Sequence, residues 1–145
     1  MSSITRSLEI SASGLTAERV RMDVISNNIA NINTTRTAEG GPYRRRHVIF
    51  EEIPARSSFT SALKAASVGR GVRVVAVEAD QGPSKRVYDP GHPDAGPDGY
   101  VQMPNIEPVM EMVDLITASR AYDAGVSAIG AAKQMQQKAL EIGKA

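Results

Sequence analysis

The side chains that come closest to a reactive arrangement are Asp89, His92, Asp94 and Asp98, groups able to ligate a divalent cation. Their spacing matches neither a helical i, i+4 ligand pair nor a calcium-binding loop. Each also stands beside Pro or Gly, so turn formation accounts for them. The chain has no Cys, which removes disulfides and thiolate metal sites. It contains no Gly-rich phosphate loop, Ser nucleophile elbow or zinc motif. His47, alone in a strand-like run, reads as structural. The residues therefore point to no catalytic group, no metal and no cofactor, and the chain reads as not an enzyme.

Two other polar clusters suit recognition. Arg44, Arg45 and Arg46 are consecutive, and in a strand successive side chains point to opposite faces, so the triplet forms no single basic stripe for nucleic acid. It reads either as a solvated, edge-protecting strand or as an electrostatic contact between subunits. Asn27, Asn28 and Asn31 gather at the end of a helical pattern. Helix-end chemistry explains such Asn residues. So does the alternative that their amides bond to a neighbouring subunit, where a polar group on a buried seam fixes register.

The elements that must carry these groups follow from periodicity. Leu8, Leu15, Met22 and Ile29 recur every seventh residue, with Ile4, Ile25 and Ile32 on the adjoining seam, which predicts an amphipathic helix from Ser3 to about Asn31. Residues 34–104 hold most of the Gly and Pro. Strand-like runs there cover Tyr43 to Ile53, Val72 to Ala79, Lys85 to Tyr88 and Tyr100 to Met103, with a Ser- and Ala-rich mobile loop expected over 54–71. Asn105 is the expected N-cap of a long C-terminal helix, with Pro108 in its first turn and Gly143 as its stop. Three parts result: an N-terminal helix over 1–33, a β-rich middle over 34–104 and a C-terminal helix over 105–145.

The fold class is thus mainly α with a small β-rich insert. The terminal helices are expected to pair as an antiparallel coiled coil, elongated rather than compact, because helices of roughly 45 and 55 Å overshoot a compact body of this length. With 4% aromatic residues and no Trp, burial falls to Ala, Val, Ile, Leu and Met, as in helix seams. Each helix then keeps an apolar face for contact with other subunits, including Leu8, Leu15, Met22 and Ile29 on the first and Met112, Leu115 and Tyr122 on the second. Ala118, Ala121, Gly125, Ala128 and Ala132 follow 3-4 spacing and form a second, small-residue seam, or reflect the helix propensity of Ala. Charge is uneven: residues 34–73 carry eight Lys/Arg against three Glu, and 74–106 are net acidic. This favours contact between the basic and acidic segments of neighbouring subunits. Glu9, Ser11 and Ser13 interrupt any signal-peptide core, and Asp114, Arg120, Asp123 and Lys133 break any membrane span.

Ser13 to Glu18 (SGLTAE) and Arg21 to Asn31 (RMDVISNNIAN) resemble the N-terminal signature of the flagellar rod, hook and filament-junction proteins, and Glu111 to Tyr122 (EMVDLITASRAY) resembles their C-terminal signature. Thr37 to Arg45, Tyr88 to Pro93 and Gly99 to Asn105 are similar to the proximal rod members, and the resemblance covers nearly the whole chain. Gly125 departs from the pattern, which has Asn there. The resemblance implies a structural subunit of the proximal rod, exported without a cleaved signal peptide and polymerising through its terminal helices into the axial drive shaft in the periplasm. It implies as partners other copies of itself, the rod proteins FlgB, FlgF and FlgG, the adaptor FliE and the flagellar export apparatus. A soluble coiled-coil adaptor binding one helical partner, or another rod subunit of the family, is the alternative.

Overall fold

The computed structural model describes residues 2–54 and 69–143. Two long helices, α1 (Ser2–Ala30) and α2 (Pro108–Ile142), flank four strands: β1 (Arg46–Glu52), β2 (Val72–Ala79), β3 (Lys85–Tyr88) and β4 (Tyr100–Met103). The chain is mainly helical with a β insert. With 29 and 35 residues, the helices run about 44 and 52 Å. They lie side by side and antiparallel: the far end of α1 meets the start of α2 at Asn28 and Glu111, and Leu15 meets Gly125 further along. Among the described residues, no helix is long and apolar enough to cross a membrane.

Each helix boundary has a local cause. The start of α2 falls at Pro108, not after an Asn105 cap, and Glu107 takes the N-cap position without a side-chain cap bond. Pro has no N–H to give and forces its predecessor out of the helical region; Glu107 is extended, with φ −98° and ψ 109°. No Asn at the end of α1 takes the left-handed conformation that helix-end Asn residues can adopt, since no described non-Gly residue has positive φ. Instead the Asn31 side chain donates to the carbonyl of Asn27 and accepts from Thr34. Gly143 caps α2 in the right-handed region.

The strands form two antiparallel pairs, β1 with β2 and β3 with β4. The first ladder runs from Arg46 opposite Ala79 to Glu52 opposite Val72, with Val75 bulged out between Ile49 and Phe50 of its partner. The ladder continues past Glu52, because Ile53 donates to Gly71 and accepts from Arg70. Arg70 and Gly71, at the end of the loop expected over 54–71, are thus tied to Ile53; residues 55–68 of that loop lie outside the described residues. β1 is shorter than expected at its start, where Tyr43 donates to Thr34 in a turn. The second pair is held by Tyr88 against Tyr100 in a T-shaped contact at 5.2 Å.

The helix α1 clips the β1–β2 hairpin at diagonally opposite corners. Asp80 donates to Arg45 across the ladder, so alternation turns the main chain of Arg46 to the outer edge of β1, where the Asn28 amide meets it. Likewise Ile53 donating to Gly71 turns the N–H of Val72 outward, and Ser13 Oγ accepts it at 3.1 Å. Close approach here requires Gly71: its φ is +116°, and a Cβ would lie 2.1 Å from Ser13 Oγ. The helix thus satisfies edge groups that would otherwise face outward.

Candidate functional site

The interior is narrow and its polar centre is unusual. Buried apolar residues among those described include Ala17, Ile25, Val101, Ile106, Ala118 and Ala132, whereas the largest sealed side chains include Asn28 and Glu111, both 0% exposed. Asn28 uses its full hydrogen-bonding capacity. Its Nδ2 donates to the Arg46 carbonyl at 2.8 Å and to Glu111 Oε2 at 3.0 Å, while its Oδ1 accepts from the Arg46 N–H at 2.9 Å and from the Tyr43 hydroxyl at 3.2 Å. Glu111 Oε1 accepts from Arg45 Nε, and the same guanidinium reaches Asp114 Oδ2 at 3.2 Å. One clasp therefore ties the end of α1, the entry to β1 and the first turn of α2.

The electrostatics favour this arrangement. A carboxylate removed from water is tolerated only when paired and hydrogen-bonded, and Glu111 has both an Arg and an Asn amide. It also sits in the first turn of α2, where the helix dipole is positive. Burial is the main cause that pushes the Tyr43 hydroxyl above its ordinary pKa; the Arg46 charge opposes it and the Glu111 charge adds to it. Arg46 stands over the Tyr43 ring at 5.8 Å.

The Asn cluster separates. Asn28 is committed inside the subunit, and the amides of Asn27 and Asn31 bond locally to Asp23 and Asn27 carbonyls. The arginines separate too: Arg45 belongs to the clasp, Arg44 reaches Gln81 at 3.1 Å, and Arg46 is exposed. Leu8, Leu15, Met22 and Ile29 are all half-buried, and Leu15 meets Gly125 of α2. On α2, the small residues do not form one seam. Ala118 and Ala132 are buried and Gly125 meets Leu15, whereas Ala121 and Ala128 are exposed. Leu115, Tyr122 and Ile129 are half-buried, and Met112 is 54% exposed.

An outer face of α2 stays uncovered. Val109, Met110, Met112, Val113 and Ile116 are each half or more exposed, and so are Met135, Leu140 and Ile142 near its other end. From Lys133 to Gly143 every residue is exposed. By contrast, many charges are satisfied within the chain: Arg36 with Asp94, Arg73 with Glu51 and Arg86 with Asp98. Asp89 and Asp98 accept from the N–H groups of Gly91 and Tyr100 within turns, whereas Asp94 accepts from the distant Thr35.

Comparison with known proteins places both helices in one group. Residues 8–36 match the family described as "Flagella basal body rod protein", and residues 98–142 match "Flagellar basal body rod FlgEFG protein C-terminal". The flagellar basal-body rod protein FlgC of Borreliella burgdorferi is 46% identical, over 94% of this chain and 95% of its own. FlgC of Bacillus subtilis is 48% identical, over 95% and 97%.

The chain belongs to the FlgC family of flagellar basal-body rod proteins.

FlgC of Aquifex aeolicus, at 37% identity, spans 99% of this chain and 100% of its own length, so the family match includes the β insert. The two matched segments also contain the two ends of the clasp, Asn28 and Glu111. Glu111, Tyr43, Asp114 and Ser13 were not singled out as site residues from the sequence. For Glu111 a signal exists: it stands seven residues before Ala118, on the stripe that α2 turns inward, where a carboxylate demands a partner.

Proposed function

We propose that this chain is a structural subunit of the bacterial flagellar basal-body rod, in its proximal part. It polymerises through its terminal helices, 1–33 and 105–145, into the axial drive shaft, with residues 34–104 as a β-rich middle. The observation that carries the polymerisation is the bare apolar face of α2, from Val109 to Ile116 and again from Met135 to Ile142. Side chains of this kind gain by leaving water, and exposed apolar patches of this kind mark contact surfaces. Pairing of α1 with α2 as a coiled coil within each subunit belongs to the same reading.

The role requires no chemistry, only a rigid subunit with complementary faces. Its neighbours in this reading are further copies, FlgB, FlgF, FlgG and FliE, reached after export through the flagellar apparatus to the periplasm. The test is isolation of basal bodies from cells carrying an epitope-tagged chain. The tag is expected in the detergent-resistant rod fraction. A tag confined to the soluble fraction, bound to one helical partner, would replace the rod reading with a soluble adaptor.

A further inference from the structure

The residues that α2 turns inward, Glu111, Ala118, Gly125 and Ala132, recur at every seventh position, as do Leu8, Leu15, Met22 and Ile29 on α1. Two contacts fix the offset between the helices: Asn28 to Glu111, and Leu15 over Gly125. Continuing the antiparallel count sets Leu8 level with Ala132, Met22 with Ala118 and Ile29 with Glu111. Three of these four levels are interchangeable, each with a medium-sized apolar side chain above Ala or Gly. A slide by one heptad, about 10 Å, would place Leu15 over Ala118 or Ala132 with little change in apolar contact.

The fourth level is different. A slide would separate Glu111 from Asn28 Nδ2 and Arg45 Nε, leaving the carboxylate without its amide and its cation and one Asn28 N–H without its acceptor, which is far more costly than an apolar mismatch. We propose that the Asn28–Glu111–Arg45 clasp sets the register of the helix pair, excluding the one-heptad slides that the apolar seam alone tolerates. A single polar layer in an apolar heptad seam acts in this way. Because Asn28 also holds the Arg46 main chain, the clasp sets the helices against the hairpin at the same time. The inference concerns the single subunit and stands apart from the rod reading.

The test uses the full chain, which has no native Cys, with spin labels at Arg19→Cys and Lys133→Cys. Both positions are exposed. The native offset places them about 18 Å apart along the helix axis, and a one-heptad slide changes that by about 10 Å. Double electron–electron resonance is expected to give one distance in the labelled chain. The apolar variant Asn28→Leu, Arg45→Met, Glu111→Met is expected to retain its helical circular dichroism and to acquire a second distance population. A helical variant with the single native distance would overturn the proposal. Loss of helicity would overturn it as well, because the clasp would then hold the helices together rather than select their register. Ile25→Ala, which weakens the seam and keeps the clasp, must show one distance only; a second population there also counts against the proposal.

Discussion

Asn28 and Glu111, 83 residues apart in the chain, share a 3.0 Å hydrogen bond in the interior. Neither exposes any surface. The pair joins the end of one terminal helix to the beginning of the other, and Arg45, at the entrance to the β insert, neutralises the carboxylate. Each member thus protects another from being buried alone. Removing one is costlier than replacing all of them with apolar groups.

That asymmetry separates three adjacent arginines. Arg45→Met is expected to lower unfolding free energy by ~2–4 kcal/mol, because Glu111 stays sealed after losing its cation. Arg44→Met and Arg46→Met, at exposed positions, are expected to change it by less than ~1 kcal/mol. Urea denaturation of the three variants checks the order. Equal costs at all three positions would mean that the buried ion pair contributes nothing particular.

Tyr43 predicts an alkaline limb. Its pKa is raised in the folded chain, chiefly by burial, so folding favours the protonated phenol. The resulting stability is complete below the ordinary value of 10.0 and is lost as pH rises through the higher folded value. Stability is therefore expected to fall more steeply above pH ~10 in the parent than in Tyr43→Phe. At neutral pH the variant should lose ~0.5–1.5 kcal/mol with the hydroxyl bond to Asn28. Denaturation series at neutral and alkaline pH measure both effects; parallel curves would remove Tyr43 as the cause.

The heptad Leu8, Leu15, Met22, Ile29 and the runs Val72 to Ala79, Lys85 to Tyr88 and Tyr100 to Met103 made the elements legible, because periodicity is a local property of the chain. What periodicity leaves open is which neighbour a residue meets. Asn28 and Arg45 carried the marks of recognition residues, yet both bond within the subunit. The carboxylate that receives them lies in a distant helix. Likewise Ala118 and Ala121 look equivalent in sequence, and only the side that α2 turns toward α1 buries one and exposes the other. The start of α2 shifted for a reason already in the sequence: Pro108 fixes both itself and Glu107.

Gly125 tests the inner seam. A Cβ there would stand 2.8 Å from Leu15 Cδ2 and 3.2 Å from its Cγ. Leu15 is half-buried, so the end of its side chain has room to turn aside. Gly125→Ala should therefore be within ~1 kcal/mol of the parent, with the gain in helix propensity offsetting the displacement of Leu15. Gly125→Leu should destabilise by ~1–3 kcal/mol through overpacking. Thermal unfolding of both decides the matter, and a neutral Gly125→Leu would mean that the helices do not approach closely there.

Met112 and Ile116 test the outer face, and they separate assembly from folding. The two are four residues apart on one side of α2 and are 54% and 55% exposed, so each is a neighbour of the other on the helix surface. Gln is a good helix former, and Met112→Gln with Ile116→Gln should leave monomer stability within ~0.5 kcal/mol per site. If another subunit covers these side chains, the double variant forfeits roughly 1.5–3 kcal/mol at each of them, repeated at every subunit of the rod. Ala121→Leu, also on exposed surface, should block close approach of a neighbour by overpacking of ~1–3 kcal/mol per contact. Both variants are therefore expected to unfold like the parent and to fail in restoring motility to cells that lack the chain. Swimming at the parental rate, with a normal yield of basal bodies, would show that the surfaces of α2 around Met112 and Ile116 and, on its other side, around Ala121 stay in solvent and that the rod is built through others.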